Sequence, residues 1–298
     1  MDNRVWPPKG GTPNGSSVKL RHDGTGSAEK DFQHSITPLL HYPMLLLFDI
    51  GNTNTHAGLA NDRRVVKQAD VPTAGWFNGT AAKLVRKFAG HARLDGAVLC
   101  SVVPRATPLV CKTVQQLWHL SVLELTPKTL RGVGIDYPKP DTIGSDRLAN
   151  AVAARHHFGA PVVVLDFGTA VTLDVINRAG NYAGGIIAPG LAAMTDYLHE
   201  KTALLPRIKI REIKTSIGKS TGEAMLVGAV HGYRGLVREL IAELKRELKT
   251  KQLPVVATGG YAKLIASKLP EISAVEPNLT LEGLRLTWET SRSLASPP

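Results

Sequence analysis

Two aspartates stand at the ends of hydrophobic runs, each followed by one apolar residue and a glycine. The segments are Asp49-Ile50-Gly51-Asn52-Thr53-Asn54-Thr55 and Asp166-Phe167-Gly168-Thr169-Ala170-Val171-Thr172. An acid at a strand end can hold a hydrated cation. Glycine lets a backbone approach an anion closely, and turn N–H groups can face the anion's oxygens. Asn52, Thr53, Asn54 and Thr55 add neutral donors. A single copy reads as an ordinary Gly-Asn hairpin. Two copies, aligned without a gap and each opening a half-chain, argue for duplication and a nucleotide cleft between the halves.

Two further pieces carry chemistry. Thr258-Gly259-Gly260 separates a short apolar run from an expected helix, where paired glycines let a nucleoside lie against a helix N-terminus. Gly144-Ser145-Asp146-Arg147 opens another expected helix with an acid beside a cation. That neighbour is expected to keep Asp146 ionised. Gly218-Lys219-Ser220 fails as a phosphate-binding P-loop, because Ile213 stands where its first glycine belongs.

The elements that must position these residues follow from periodicity. Strands are expected at 44–50, 55–61, 63–71, 97–103 and 122–125, with helices at 77–89, 107–117 and from Gly144. A second round follows, with strands at 162–166, 171–176 and 182–187 and a helix from Gly190. A long helix over 221–248 carries Val227, Val230, Leu236, Leu240 and Leu244, before a strand at 255–257 and a helix at 259–268. The expected class is α/β, with two duplicated RNase H-like (actin-like ATPase) domains at 44–160 and 161–292. Residues 1–43 are rich in Gly, Pro and Ser without period and are expected to form a disordered tail.

Composition excludes several classes. Of 298 residues, 43% are hydrophobic and 20% charged, which is globular rather than disordered. Two cysteines, Cys100 and Cys111, can make neither a disulfide framework nor a zinc cluster, and the expectation is a reduced, cytoplasmic protein. No run approaches the ~20 apolar residues of a bilayer span, so no membrane association is expected. The net charge of +11 permits polyanionic partners. No basic run resembles a recognition helix, so nucleic acid is not expected as a partner. His156 and His157, adjacent on a helix, diverge by about 100° and make no shared metal site. Cys100 reads as a small core hydrophobe.

Taken together, these motifs resemble the acetate and sugar kinase, Hsp70 and actin superfamily, and within it type III pantothenate kinase. The resemblance covers roughly residues 44–289 and rests on Asp49-Ile50-Gly51-Asn52-Thr53, Gly144-Ser145-Asp146-Arg147 with Asn150, and Asp166-Phe167-Gly168-Thr169-Ala170. Gly184-Gly185 with Pro189-Gly190, and Thr258-Gly259-Gly260, complete it. It implies ATP-dependent phosphorylation of pantothenate to 4'-phosphopantothenate, the first step of coenzyme A synthesis. Asp49, Ile50, Gly51, Asn52, Thr53, Asn54, Thr55 and His56 match the first phosphate loop, and Thr169 a second ATP contact. Asp166 matches a monovalent-cation ligand for potassium or ammonium, and Asp49 is expected beside the Mg2+ that accompanies ATP. Tyr137, Gly144, Ser145, Asp146 and Arg147 match the pantothenate pocket, with Asp146 as proton acceptor. Thr221 matches a contact supplied by the partner of a homodimer whose pocket is shared. One departure is Lys139 before Pro140, where the family often has Asn. The alternative is a non-catalytic family member acting as a transcription-accessory factor.

Overall fold

The apolar run at 44–50 folds as a strand that buries side chains on both of its faces, so helices must cover both. The computed structural model describes residues 43–295. The tail expectation therefore falls, apart from Pro43, outside the described residues. In chain order the first elements are β1 (Met44–Ile50), β2 (Asn54–Ala60), β3 (Val65–Pro72), α1 (Thr80–Ala89) and β4 (Leu94–Ser101). Next come α2 (Thr107–Trp118), β5 (Val122–Glu124), β6 (Gly134–Ile135) and α3 (Ser145–Phe158). The second half opens with β7 (Val162–Phe167), β8 (Ala170–Ile176), β9 (Asn181–Pro189) and α4 (Leu191–Lys201). It closes with α5 (Thr221–Val227), α6 (Tyr233–Glu247), β10 (Val255–Thr258), α7 (Ala262–Ala266), β11 (Ala274–Val275) and α8 (Leu279–Ala295).

Two mixed sheets result, ordered β3-β2-β1-β4-β5 and β11-β10-β7-β8-β9-β6. In each, the opening strand (β1 or β7) pairs antiparallel with the next strand and parallel with a later one. The two opening turns differ in length. Asp49 lies opposite His56, whereas Asp166 lies opposite Thr172, so the second turn is one residue shorter. An ungapped alignment of the two motifs therefore slips just beyond the turn.

Strand alternation sorts the core into layers. Leu45, Leu47 and Val98 of the first sheet and Val162, Val164 and Val256 of the second form one cluster with α3 and α8. Leu46, Phe48, Ile50 and Leu99 face the opposite way, towards α1 and α2. Val163, Leu165, Leu173 and Val255 turn outward to α6 and α7. Thus α3 and α8 form a middle layer between the sheets. Helix α3 suits this place because it is buried all round, from Leu148 through Ala154.

Two elements escape the periodicity reading. The two-residue β6 extends the second sheet alongside β9 from a stretch that reads as a Gly/Pro loop. Helix α8 lies against the first sheet, where Leu281 approaches Gly58 and Trp288 approaches Gly96. The helix expected over 221–248 is continuous but contains a π-helical turn at Gly228–Gly232. Val230 is fully buried against Ile213 and Leu226, which makes it a core residue of its own subunit.

Candidate active site at the ends of β1 and β7

The same alternation aims both motif acids at one place. Asp49 shares a face with Leu45 and Leu47, and Asp166 with Val162 and Val164, so both project from strand ends towards α3. Helix α3 starts beside them, pinned by Ser145, whose Oγ donates to the Ser101 carbonyl at 3.0 Å and accepts its N–H at 2.8 Å. That contact places Asp146, in the first helical turn, near the two strand ends. The three carboxylates are close enough to repel one another. Burial, followed by Asp146, pushes Asp49 up from 3.8 to about 7, and Asp166 adds to the shift. Burial likewise raises Asp166 to about 6, opposed by the Asn150 hydrogen bond.

Asp146 is subject to opposing influences. Its carboxyl is raised by burial, which outweighs the backbone hydrogen bond and the charge of Arg147. Its Oδ1 accepts the Arg147 N–H at 2.8 Å. Arg147 turns to the second sheet, where its Nε donates to Asp174 Oδ1 at 2.6 Å. Asp166 Oδ2 accepts from Asn150 Nδ2 at 3.1 Å, and Asn150 Oδ1 accepts from Thr280 Oγ1 of α8 at 2.8 Å.

The remaining expected site residues divide by side-chain direction. Asn52, Thr53 and Thr169 are exposed on the two turns, whereas Gly51 and Asn54 are half-buried and close the first turn by a 3.0 Å N–H to carbonyl bond. His56 is exposed opposite Asp49 and holds Asp70 at 2.6 Å through Nδ1. Ile50 and Thr55 point the other way. Ile50 is in the outer core, and the Thr55 hydroxyl is fully buried between Thr73 Oγ1 and Trp76 Nε1, so only their backbones face the turn. Tyr137 is exposed and sets its ring edge-on to Tyr182, 6.1 Å between centroids. Thr221 opens α5 behind the Ser220 cap and makes no hydrogen bond to this pocket. Cys100 is indeed buried, and its thiol donates to Asp49 Oδ1 at 3.4 Å. His156 and His157 stack edge-on, and His157 Nε2 lies 3.4 Å from Glu282 Oε1.

Asp174 and Thr280 are absent from the sequence reading. An aspartate inside the apolar run of β8 is a signal for the first. Nothing local marks Thr280.

The two strand ends suit a phosphate–cation pair. Gly259 has φ 89°, and a Cβ there would fall 2.6 Å from Asp166 Oδ1, so its backbone crosses directly over that acid. No three His, Cys, Asp or Glu form a cage among the described residues. Two carboxyls raised chiefly by burial still match a hard cation that keeps water and phosphate oxygens as its other ligands.

A family model described as type III pantothenate kinase matches residues 45–243. A type III pantothenate kinase of Akkermansia muciniphila is 48% identical over 241 residues, covering 81% of this chain and 96% of its own. One from Methylacidiphilum infernorum is 43% identical over 246 residues, covering 82% and 88%. Among solved structures, a Baf family transcriptional activator from Campylobacter jejuni superposes with TM-score 0.54 at 18% identity, covering 83% of this chain and 99% of its own. At that identity the likeness concerns fold alone.

Proposed function

This chain belongs to the type III pantothenate kinase family, and from that membership we propose how its own residues carry the reaction. The protein is a pantothenate kinase, an enzyme that moves a phosphoryl group from ATP to pantothenate. The convergence of Asp49, Asp146 and Asp166 beside Arg147 carries the site-level reading.

Phosphoryl transfer asks mainly for alignment and charge neutralisation. The two motif turns, with Asn52, Thr53 and Asn54 on one side and Thr169 on the other, present polar donors to the phosphates, while Gly51, its own N–H closing the first turn on the Asn54 carbonyl, lets the backbone come close. Asp49 would hold the divalent ion and Asp166 a monovalent one, potassium or ammonium. When bound, these ions supply positive charge against the phosphate oxygens. Asp146 orients the primary hydroxyl of pantothenate and takes its proton at Oδ2. Burial raises the Asp146 carboxyl and so makes it a stronger base than an ordinary aspartate. Arg147 meets the carboxylate at the substrate's other end, with Tyr137 beside it.

The finer architecture belongs to the same proposal. Residues 44–160 and 161–292 act as two duplicated RNase H-like domains around the nucleotide, with α8 returning to cover the first sheet. A homodimer brings the partner's Thr221 to the pocket. Large exposed apolar side chains at Ile187, Tyr197, Leu198, Leu204 and Ile217 support such a contact. Among the described residues no helix is long and apolar enough to cross a membrane, and a cytoplasmic setting fits coenzyme A synthesis. The transcription-accessory alternative is not favoured, since the relatives above are kinases.

The test is ATP consumption with pantothenate against a panel of sugars and short-chain hydroxy acids, with sodium, potassium and ammonium compared. Turnover confined to pantothenate is expected. Preference for a sugar would overturn the pocket assignment, and equal rates in all three cations would remove the monovalent role of Asp166.

A further inference from the structure

Arg147 is gripped in an unusual way for a structural ion pair. A guanidinium that serves only to neutralise a carboxylate commonly meets it with two parallel N–H groups. Here only Nε is used, at 2.6 Å from Asp174 Oδ1, and the Nη groups take no protein hydrogen bond among the described residues. Asp174 itself is fixed. Tyr182 OH donates to Oδ1 at 3.0 Å and Thr172 Oγ1 to Oδ2 at 3.1 Å. The acid is fully buried, while the Arg147 side chain keeps 16% of its surface exposed.

The surroundings shape one slot for the guanidinium. In the β8–β9 ladder Gly185 lies directly opposite Asp174. A Cβ at Gly185 would come 3.0 Å from Arg147 Nη2 and 2.0 Å from the Leu173 carbonyl, so the missing side chain makes the room. The Tyr182 ring closes the slot with its centroid 5.7 Å from Arg147 Cζ, a cation–π distance. Tyr182 is in turn edge-on to Tyr137.

We propose that Asp174, braced by Thr172 and Tyr182, is a positioning residue that holds Arg147 by Nε so that both Nη groups face the carboxylate of the acceptor. The proposal deepens the reading of Arg147 as the carboxylate-binding group and rests on it. Its consequence is selectivity: Asp174 matters for acceptors that carry a carboxylate and not for those that lack one. A flexible cation without this grip would spend side-chain entropy on every binding event.

Calorimetric affinities for pantothenate and for pantothenol, whose carboxylate is replaced by a hydroxymethyl group, provide the test, with ATP affinity and melting temperature as controls. Asp174→Asn keeps the shape and an acceptor for Nε but loses the charge. It is expected to weaken pantothenate about 10-fold or more, on the scale of a charged hydrogen bond, while pantothenol and ATP shift less than about 2-fold. Equal weakening of both acceptors would mean a purely structural role, and no weakening would end the proposal. Removing a buried charge partner can cost the fold. Tyr182→Phe then decides, with an expected loss of about 3-fold for pantothenate alone; unchanged affinity there would overturn the idea. Arg147→Gln separates the two levels. If it leaves pantothenate affinity intact, the carboxylate reading fails; if it weakens pantothenate while Asp174→Asn does not, only the positioning role fails.

Discussion

At the scale of single residues, the candidate site gathers three carboxyls, Asp49, Asp146 and Asp166, whose burial resists their charge until a cation arrives. Asp146→Asn preserves size and the Oδ1 contact to the Arg147 N–H but removes the proposed proton acceptor. Turnover is expected to fall ~10²–10⁴-fold, with ATP affinity retained, as steady-state rates and nucleotide titration would show. Asp49 makes a second prediction through linkage. Its folded value, about 7, lies above the unfolded 3.8, so the folded state binds more protons between these limits. Stability from this group is complete below about pH 4 and is lost as pH rises through 7. The ligand-free melting temperature of Asp49→Asn should therefore fall less over that window than the parent's; parallel curves would refute the shift. Residue types and order in the motifs were readable directly, because each needs only a strand, a turn and a helix start. Side-chain direction was readable too, had alternation been carried through the turn: residues 50 and 55 must face away from residues 49 and 56. Asp174 and Thr280 were not, since their partners Arg147 and Asn150 come from distant segments.

Among the elements, α3 holds the proposed active site together. It carries Asp146, Arg147 and Asn150, and small residues let its neighbours approach closely. The tightest approach is to α8, where a Cβ on Gly283 would fall 1.9 Å from the Ala149 carbonyl. Gly283→Ala must push the two helices apart, a strain of about 1–3 kcal/mol. Urea unfolding should show that loss. Activity should fall as well, because Thr280 on α8 supports Asp166 through Asn150; a variant as stable as the parent would show that the contact yields without cost. Most strands and helices declared themselves by period. Helix α8 did not, because Gly283, Thr287 and Arg285 interrupt its apolar face with polar and small residues that only the middle layer explains. Strand β6 is too short to show alternation and exists only because β9 offers an edge.

For the whole molecule, the proposed dimer makes a prediction that avoids the core. Leu204 is 89% exposed, so Leu204→Glu should leave circular dichroism unchanged. If the face including Leu204 joins two subunits, light scattering should report monomers and pantothenate affinity should drop as the partner's Thr221 is withdrawn. A monomer with full affinity would separate assembly from the pocket. The mixed α/β class was legible because both halves open with a strand, an acid, a glycine turn and a second strand, whereas the crossing of α8 to the first sheet was not, since no local pattern encodes a return over such a distance. That return governs how the chain can acquire its structure. Arg285 of α8 donates to the Asp62 carbonyl, 223 residues away in sequence. Until the ribosome has delivered that segment, the inner side of the first sheet, with Leu45, Leu47 and Val98, lacks the α8 part of its cover although its own strands are long complete. A nascent chain in this state offers an apolar surface to chaperones and to other nascent copies. Contacts so distant in sequence also slow folding.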